Sequence, residues 1–292
     1  MENDMSNMLM NTAAWFAKKS PRSLKRFIYS IQPLAHILRW SLNKVAPVGL
    51  SEVQIAGGDL VGARMLLDMQ AEKDYWLGTY EMELQAAIKK YISTGMVAYD
   101  IGANIGYISL LLARATGENG MVYAFDALPA NLKRLNDNIK LNSMQKQIKV
   151  IANAVIEEQR PVEFLVGPSG GMGKVKGSAG RTEFNYPETI VVEGISLDHF
   201  VYVDGNEPPD VIKLDIEGGE ILALPGMQTL LSRKRPILLL ELHGETATEI
   251  CWNILSKENY EIHSIHPPYK VISQLGSLDW KSYLLAFPKV KS

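Results

Sequence analysis

A single cysteine, Cys251, in 292 residues leaves no partner for an internal disulfide and no thiolate set for a structural zinc site. That scarcity suits a reducing compartment, and a cytoplasmic location is the expectation. An excess of one charge is missing too: 30 Lys and Arg stand against 32 Asp and Glu, a net charge of −2. No global field then draws the chain to a polyanion, and a nucleic-acid partner is not favoured. Long apolar runs are absent as well. The most apolar early stretch, residues 27–42, is broken by Gln32, Pro33, His36 and Arg39 and is too short to span a bilayer. No basic start, apolar run and small-residue cleavage site opens the sequence, so export is not expected. No repeat period is visible, which excludes solenoids and propellers.

What is present is the composition of an ordinary folded protein, 47% hydrophobic and 21% charged. The organisation expected is an N-terminal region over 1–77 and one larger domain over 78–292 with a glycine-rich insertion at about 167–187. The first 45 residues are a basic amphipathic arm, with Lys18, Lys19, Arg22, Lys25 and Arg26 interleaved with Trp15, Phe16, Phe27 and Ile28. Such an arm packs on its domain, touches a membrane surface peripherally, or builds a homodimer. Residues 53–55 and 60–67 flank Gly57 and Gly58 as a hairpin, and Leu84, Ala87, Ile88 and Tyr91 fall at helical spacing.

From residue 96 a strand-helix rhythm sets in. Strands are predicted at 96–101, 121–126 and 148–154, with helices at 105–115 and 131–141 between them. After an interval holding a strand pair, 162–166 and 189–192, the rhythm resumes with strand 211–216, helix 219–232, strand 237–242, helix 245–257 and strands at 260–265 and 282–287. This is an α/β, doubly wound sheet with helices on both faces and an N-terminal helical and hairpin extension. Within the insertion, Gly173-Lys174 is not a phosphate loop, because Pro168 stands where its first glycine belongs and Val175 where Ser or Thr belongs.

In doubly wound folds the ligand lies at the carboxyl ends of the strands, and the first strand-to-helix turn must admit it close to the backbone. Here that turn is Asp100-Ile101-Gly102-Ala103-Asn104-Ile105-Gly106. It opens on a carboxylate rather than leaving free amides for a pyrophosphate, so a dinucleotide does not fit it. S-adenosylmethionine does: it has no phosphate, its ammonium suits Asp100, and its ribose diol suits a second carboxylate. Asp126, 26 residues on at the end of the next strand, is that carboxylate, and Asn153 near the third strand's end meets the adenine.

The stretches YDIGANIGY at 99–107, VYAFD at 122–126, VIKLDIEGGE at 211–220 and LELH at 240–243 resemble the FkbM family of methyltransferases, with GTYE at 78–81 similar to the segment before that family's first motif. The resemblance covers about 78–287 and leaves the basic arm outside. It implies a Rossmann-like methyltransferase fold, S-adenosylmethionine as cofactor with Glu81 among its contacts, and methylation of a hydroxyl on a sugar, glycolipid or secondary metabolite. Asp126 departs from the glutamate more usual there. Two other readings stand beside it: methylation of RNA or protein, and a cofactor-binding fold without catalysis.

Methyl transfer to an alcohol needs alignment and a base. Asp215 and Glu217 follow one strand and Glu241 and His243 end the next, each pair two residues apart and so on one face. The expectation is that His243 or Asp215 takes the acceptor proton while Glu241 orients. A divalent cation on such carboxylates is the alternative and is not favoured, so no metal ligand is assigned; Glu217 and Glu220 are read as helix caps. The acceptor expected is a small molecule or glycan, and His266-Pro267-Pro268-Tyr269 is a connector or pocket wall.

Overall fold

The computed structural model describes residues 12–21 and everything from 46 on except 168–170, 181–182, 279–280 and 290–292, together with positions 24, 27, 31 and 33. Most of the basic arm therefore lies outside the described residues; within it, 12–19 are helical, with Ala17 buried and Trp15 exposed. No described helix is long and apolar enough to cross a membrane. The chain divides into two compact units, residues 1–86 with 137–143, and residues 87–136 with 144–292.

In the first unit β1 (Leu50–Gln54) pairs antiparallel with β2 (Arg64–Asp68). The hairpin is the one expected, but its connection is residues 55–63 rather than a tight turn. Gly57 serves a different purpose. Helix α1 (Lys73–Leu77) ends on Gly78 at φ +68°, and a Cβ there would lie 2.1 Å from the Gly57 carbonyl oxygen, so two backbones cross where no side chain fits. The side chain of Gln85 in α2 (Met82–Tyr91) ties this crossing down by donating to Tyr80 O at 2.6 Å and accepting from Asp59 N at 3.2 Å.

The second unit is built on seven strands: β3 (Val97–Ile101), β4 (Met121–Phe125), β5 (Ile148–Ile151), β10 (Val211–Leu214), β11 (Ile237–His243), β12 (Tyr260–Ser264) and β13 (Lys281–Pro288). Their order across the sheet is β12-β13-β11-β10-β3-β4-β5, parallel throughout except for β13. Helices α3 (Tyr107–Thr116) and α4 (Pro129–Leu141) make the crossovers of the β3–β5 half, and α7 (Glu245–Lys257) that of the far edge. From β3 the chain winds outward through β4 and β5, then returns to lay β10 and β11 on the other side. The carboxyl ends of β3 and β10 thus flank the place where the winding reverses, the usual crevice for a ligand.

Alternation gives each strand two faces. Tyr99, Tyr123, Phe125, Ile212, Leu214, Leu238, Leu240 and Leu242 point to one, where they pack with α5 (Leu197–Tyr202), the short helix α6 (Glu220–Ala223) and Cys251 and Leu255 of α7. An aromatic knot centres this core, with Tyr99 and Tyr123 rings 5.1 Å apart and Phe125 and Phe200 also 5.1 Å apart. The predicted helix 219–232 is broken: α6 gives way to a 3₁₀ turn at Leu224–Met227 and a π turn at Leu230–Lys234. Pro225 removes a donor, and Gly226 is pressed to within 2.3 Å, measured from an added Cβ, of Ile156 O.

The interval between the halves forms a second sheet, β6-β9-β7-β8, from β6 (Ala154–Val155), β7 (Pro161–Val166), β8 (Lys174–Val175) and β9 (Glu188–Ile195). The expected pair is β7 and β9. The predicted strand 148–154 splits, because β6 leaves the main sheet to join β9, and part of the glycine-rich insertion is strand β8 rather than loop.

Candidate active site

The glycine turn is fastened to the neighbouring strand by backbone bonds, with Gly102 N and Ala103 N both donating to Phe125 O at 3.0 and 2.8 Å. Gly102 sits at φ +78°, and a Cβ on it would be 2.0 Å from Asp215 O, so the turn after β3 and the turn after β10 meet through bare backbone. Asn104 is left-handed at φ +50° and donates its N–H to Asp126 Oδ2 at 2.8 Å. Gly106, at φ +92°, opens α3.

Asp126 lies beside this turn as predicted, yet its oxygens are largely taken. Leu128 N donates to Oδ1 at 2.9 Å, and Asn131 Nδ2 reaches both oxygens at 3.3 Å. A carboxylate has about four lone-pair sites, so three protein donors leave little for a ligand. Burial pushes Asp126 up to about 6 against the bonds from Leu128, Asn104 and Asn131. Asp126 thus clamps the two turns together, and the bidentate role expected of it toward a diol falls to the acceptor capacity that these donors leave.

Asp100 is also held from within the protein. It is fully buried, accepts from Ser109 Oγ at 2.6 Å, and faces Lys213 Nζ at 3.4 Å. Lys213 stands directly opposite Asp100 in the β3–β10 register, which is why they meet. Asp100 is thus faced by a cation of the protein itself, while its Oδ1 accepts no hydrogen bond among the described residues. Lys213 also donates to Gly102 O at 2.9 Å and lies 3.6 Å from Asp215, so one ammonium joins both sides of the crevice. Asn153 lies between β5 and β6 and donates to Glu193 O at 3.3 Å. Glu81 belongs to the first unit, where its carbonyl accepts from Gln85 N at 3.0 Å.

Across the crevice, Asp215, Glu241 and His243 bring one donor atom each within 4.8 Å of one another. His243 Nε2 is 3.0 Å from Glu241 and 3.7 Å from Glu217, and its Nδ1 is 3.7 Å from Glu220. Burial alone would favour neutral imidazole, but the Glu220 and Glu241 carboxylates, with Asp215 behind them, outweigh it and hold His243 up at about 10. A ring crowded by carboxylates favours its imidazolium form, which suits His243 to orient neighbouring groups more than to accept a proton. Asp215 is pushed up to about 7, first by burial and then by Glu241 and Glu217, while Lys213 and His243 oppose. Its side chain keeps 18% of its surface exposed. Burial would raise Glu241 too, but His243 and Lys281 hold it below the usual carboxylate range, so it is the ionised partner of both. Glu220 does not cap the helix, whose N-cap Gly219 receives no side-chain bond; it is the first helical residue and accepts from Ile216 N in the preceding turn at 3.0 Å.

The three donor groups could seat a cation in principle, but two ammonium groups already offset the carboxylates: Lys213 beside Asp215, and Lys281 in contact with Glu241. No metal is assigned. The insertion closes over both turns. Ala179 N donates to Gly218 O at 2.9 Å, Gly180 N donates to His243 O at 3.3 Å, and a Cβ on Gly171 would lie 3.2 Å from Asn104 Nδ2.

Residues 100–266 match the model of the methyltransferase FkbM domain, more than half of the chain. The chain belongs to that family. A curated relative, ribosomal protein L11 methyltransferase of Carboxydothermus hydrogenoformans, is 33% identical over 70 residues, 24% of this chain and 22% of its own length. Among solved structures, methyltransferase FkbM from Methylobacillus flagellatus KT is 20% identical with a TM-score of 0.47 over 75% of this chain and 53% of that one. Ribosomal protein L11 methylase from Lactobacillus delbrueckii subsp. bulgaricus is 11% identical with a TM-score of 0.42 over 73% and 80%. The chain thus spans about a fifth of the curated relative and about half of the FkbM structure. The FkbM match begins on Asp100 and takes in Asp126, Asn153, Asp215, Glu241 and His243, while Glu81 and Lys281 fall outside it.

Sequence reasoning missed Lys213 and Lys281. Lys213 had a signal: a lysine two residues before Asp215 in an otherwise apolar strand points to the same face as that carboxylate. Lys281 had none, since only the antiparallel return of β13 places it opposite His243.

Proposed function

We propose that this chain transfers the methyl group of S-adenosylmethionine to a hydroxyl oxygen of a small-molecule or glycan acceptor. When bound, that cofactor supplies a sulfonium methyl whose carbon–sulfur bond breaks with both electrons left on sulfur. The residues suit it: the turn at Gly102, Ala103 and Asn104 lies at the winding reversal, has a carboxylate at its head rather than a phosphate cradle, and borders the remaining acceptor capacity of Asp126.

The observation that carries the reading is Asp215, a partly exposed carboxylate held near 7 where the two halves of the sheet part. A base tuned close to working pH is what an alcohol acceptor demands. As the acceptor oxygen takes the methyl carbon, its proton passes to an Asp215 oxygen. His243, held as imidazolium, and ionised Glu241 fix the charge around Asp215 before and after that step. Backbone contact between Gly102 and Asp215 keeps base and cofactor turn in one geometry, which serves alignment.

Isothermal titration of S-adenosylmethionine into the full chain, with NAD as comparator, tests the cofactor. Binding of the former alone is expected, and binding of NAD in its place would defeat the reading. Acceptor type is tested by NMR of the product from a ¹³C-methyl-labelled cofactor, where an N- or S-methyl shift in place of O-methyl would overturn the hydroxyl assignment.

A further inference from the structure

Residues 171–180 of the insertion are built into the crevice. β8 pairs antiparallel with β7, Val175 opposite Phe164 and Lys174 opposite Leu165. Neighbouring strand residues face opposite sides. Val175 enters a small core with Ala127, Ala154, Ile156 and Val162, which anchors the insertion next to the turn that carries Asp126. Lys174 is thereby turned the other way, and it too is buried. Its ammonium lies 5.5 Å from the centre of the Tyr186 ring, and the carboxylate that acts on it is that of Glu217.

The chain then crosses the turn after β10. A Cβ on Gly180 would lie 2.2 Å from Glu217 O, and one on Gly218 would lie 2.2 Å from Gly180 N, so backbone meets backbone here. Together with the bonds from Ala179 N and Gly180 N to Gly218 O and His243 O, this crossing fixes Glu217 at φ +54°, in the left-handed region that few non-glycine residues adopt. Such a conformation persists only where its surroundings over-determine it. The Glu217 carboxylate is left among three charged groups: His243, whose Nε2 is 3.7 Å away, Lys174 on the insertion, and Asp215 two residues back. Burial acts to lower the Lys174 ammonium while Glu217 acts to raise it, and Glu217 in turn acts to raise Asp215.

We propose that Lys174 is a positioning residue of the Asp215 cluster: borne by the insertion, its ammonium seats the Glu217 carboxylate and balances the negative charge beside Asp215. This deepens the methyl-transfer reading above, in which Asp215 is the base. The charges that face Asp215 are Lys213 from its own strand, Glu241 and His243 from β11, and Glu217 from its own turn; behind them Glu220 stands against His243 and Lys281 against Glu241. Lys174 is the cation that the insertion adds. Its removal leaves the Glu217 charge uncompensated and raises the pH at which Asp215 gives up its proton. Removal of Glu217 lowers that pH, and removal of both takes away a pair and leaves it nearly in place.

The test is a carboxyl ¹³C NMR titration of the full chain labelled at aspartate, with the Asp215 signal assigned by Asp215→Asn. In Lys174→Met the Asp215 midpoint should move up by about 0.5–1 pH unit, and in Glu217→Gln it should move down by about as much. The double variant should lie near the wild type, and Lys174→Arg, which keeps the cation, should as well. Lys176→Met, whose ammonium pairs with Glu163 at the surface, should leave the midpoint unmoved. Lys174→Gln is the second neutral variant, and whichever of the two keeps wild-type amide exchange at Ala179 and Gly180 decides. An unmoved midpoint in either that variant or Glu217→Gln, or a displacement by Lys174→Arg as large as that by Lys174→Met, would overturn the proposal. The titration is read without cofactor or turnover, so failure of the chain to bind S-adenosylmethionine would remove the methyl-transfer reading and leave these midpoints standing.

Discussion

Asp126 and Asp215 are both strand-end aspartates raised by burial, to about 6 and about 7, but they are held in opposite ways. Asp126 is surrounded by donors, two backbone amides and the Asn131 side chain, and binds two turns into one. Asp215 accepts no such clamp among the bonds described; it is set among charges, with Lys213 on one side and His243, Glu241 and Glu217 on the other. On the side of the glycine turn the carboxylates hold shape, and on the other side the proposed reading keeps Asp215 available for proton transfer. A carboxylate at a strand end is thus no guide to its role until its donors are counted.

The strongest way to break this comparison is Asp215→Asn. Loss of a general base lowers kcat by about 10²–10⁴-fold, while S-adenosylmethionine affinity by titration should stay nearly constant; normal turnover would place the chemistry elsewhere. In the wild type, kcat should climb as pH passes about 7, where Asp215 gives up its proton, and that limb should vanish in the variant. On the other side of the crevice the effect belongs to stability. Gly102→Ala meets both φ +78° and the Asp215 carbonyl, and about 3–5 kcal/mol should be lost in denaturant unfolding. Gly205→Ala, at φ +75° with nothing within 4 Å, should lose only about 1–2 kcal/mol.

Lys281→Met sharpens the contrast. It frees Glu241 and displaces His243, and kcat should fall about ten- to hundredfold through misplacement, with cofactor affinity intact. Asp126→Asn turns one of the two accepting oxygens into a donor that faces either the Asn104 or the Leu128 amide, and should cost about 1–3 kcal/mol of stability. The last effect is a matter of sign. His243 titrates at about 10 folded against 6.5 unfolded, so the stability it adds is complete below 6.5 and is lost as pH rises through about 10. The wild-type denaturation midpoint should fall over that window more steeply than that of His243→Gln.

The parts of the fold legible beforehand are those fixed by local pattern. The β3–α3–β4–α4 succession, the glycine turn and the placing of Asp126, Asp215, Glu241 and His243 at one sheet edge follow from alternation and strand ends. What escaped depended on pairings far apart in sequence. The four-stranded sheet exists because β6 turns away from β5 to meet β9, forty residues on, and nothing in Ala154–Val155 announces it. The protein partners of Asp100 and Asp126 were not legible, because Lys213 reaches Asp100 only through the β3–β10 register and Asn131 comes from the following helix. What favours Asp215 over His243 as the proposed base is how many carboxylates crowd one imidazole, a quantity visible only in three dimensions.

The bare contact between Gly102 and Asp215 has a thermodynamic consequence. With no side chain between them to absorb a shift, a displacement of either peptide is passed to the other. In the proposed reading this joins the cofactor turn to the base, and linkage would then make the exchange mutual: whatever factor the acceptor applies to cofactor affinity, the cofactor applies to the acceptor.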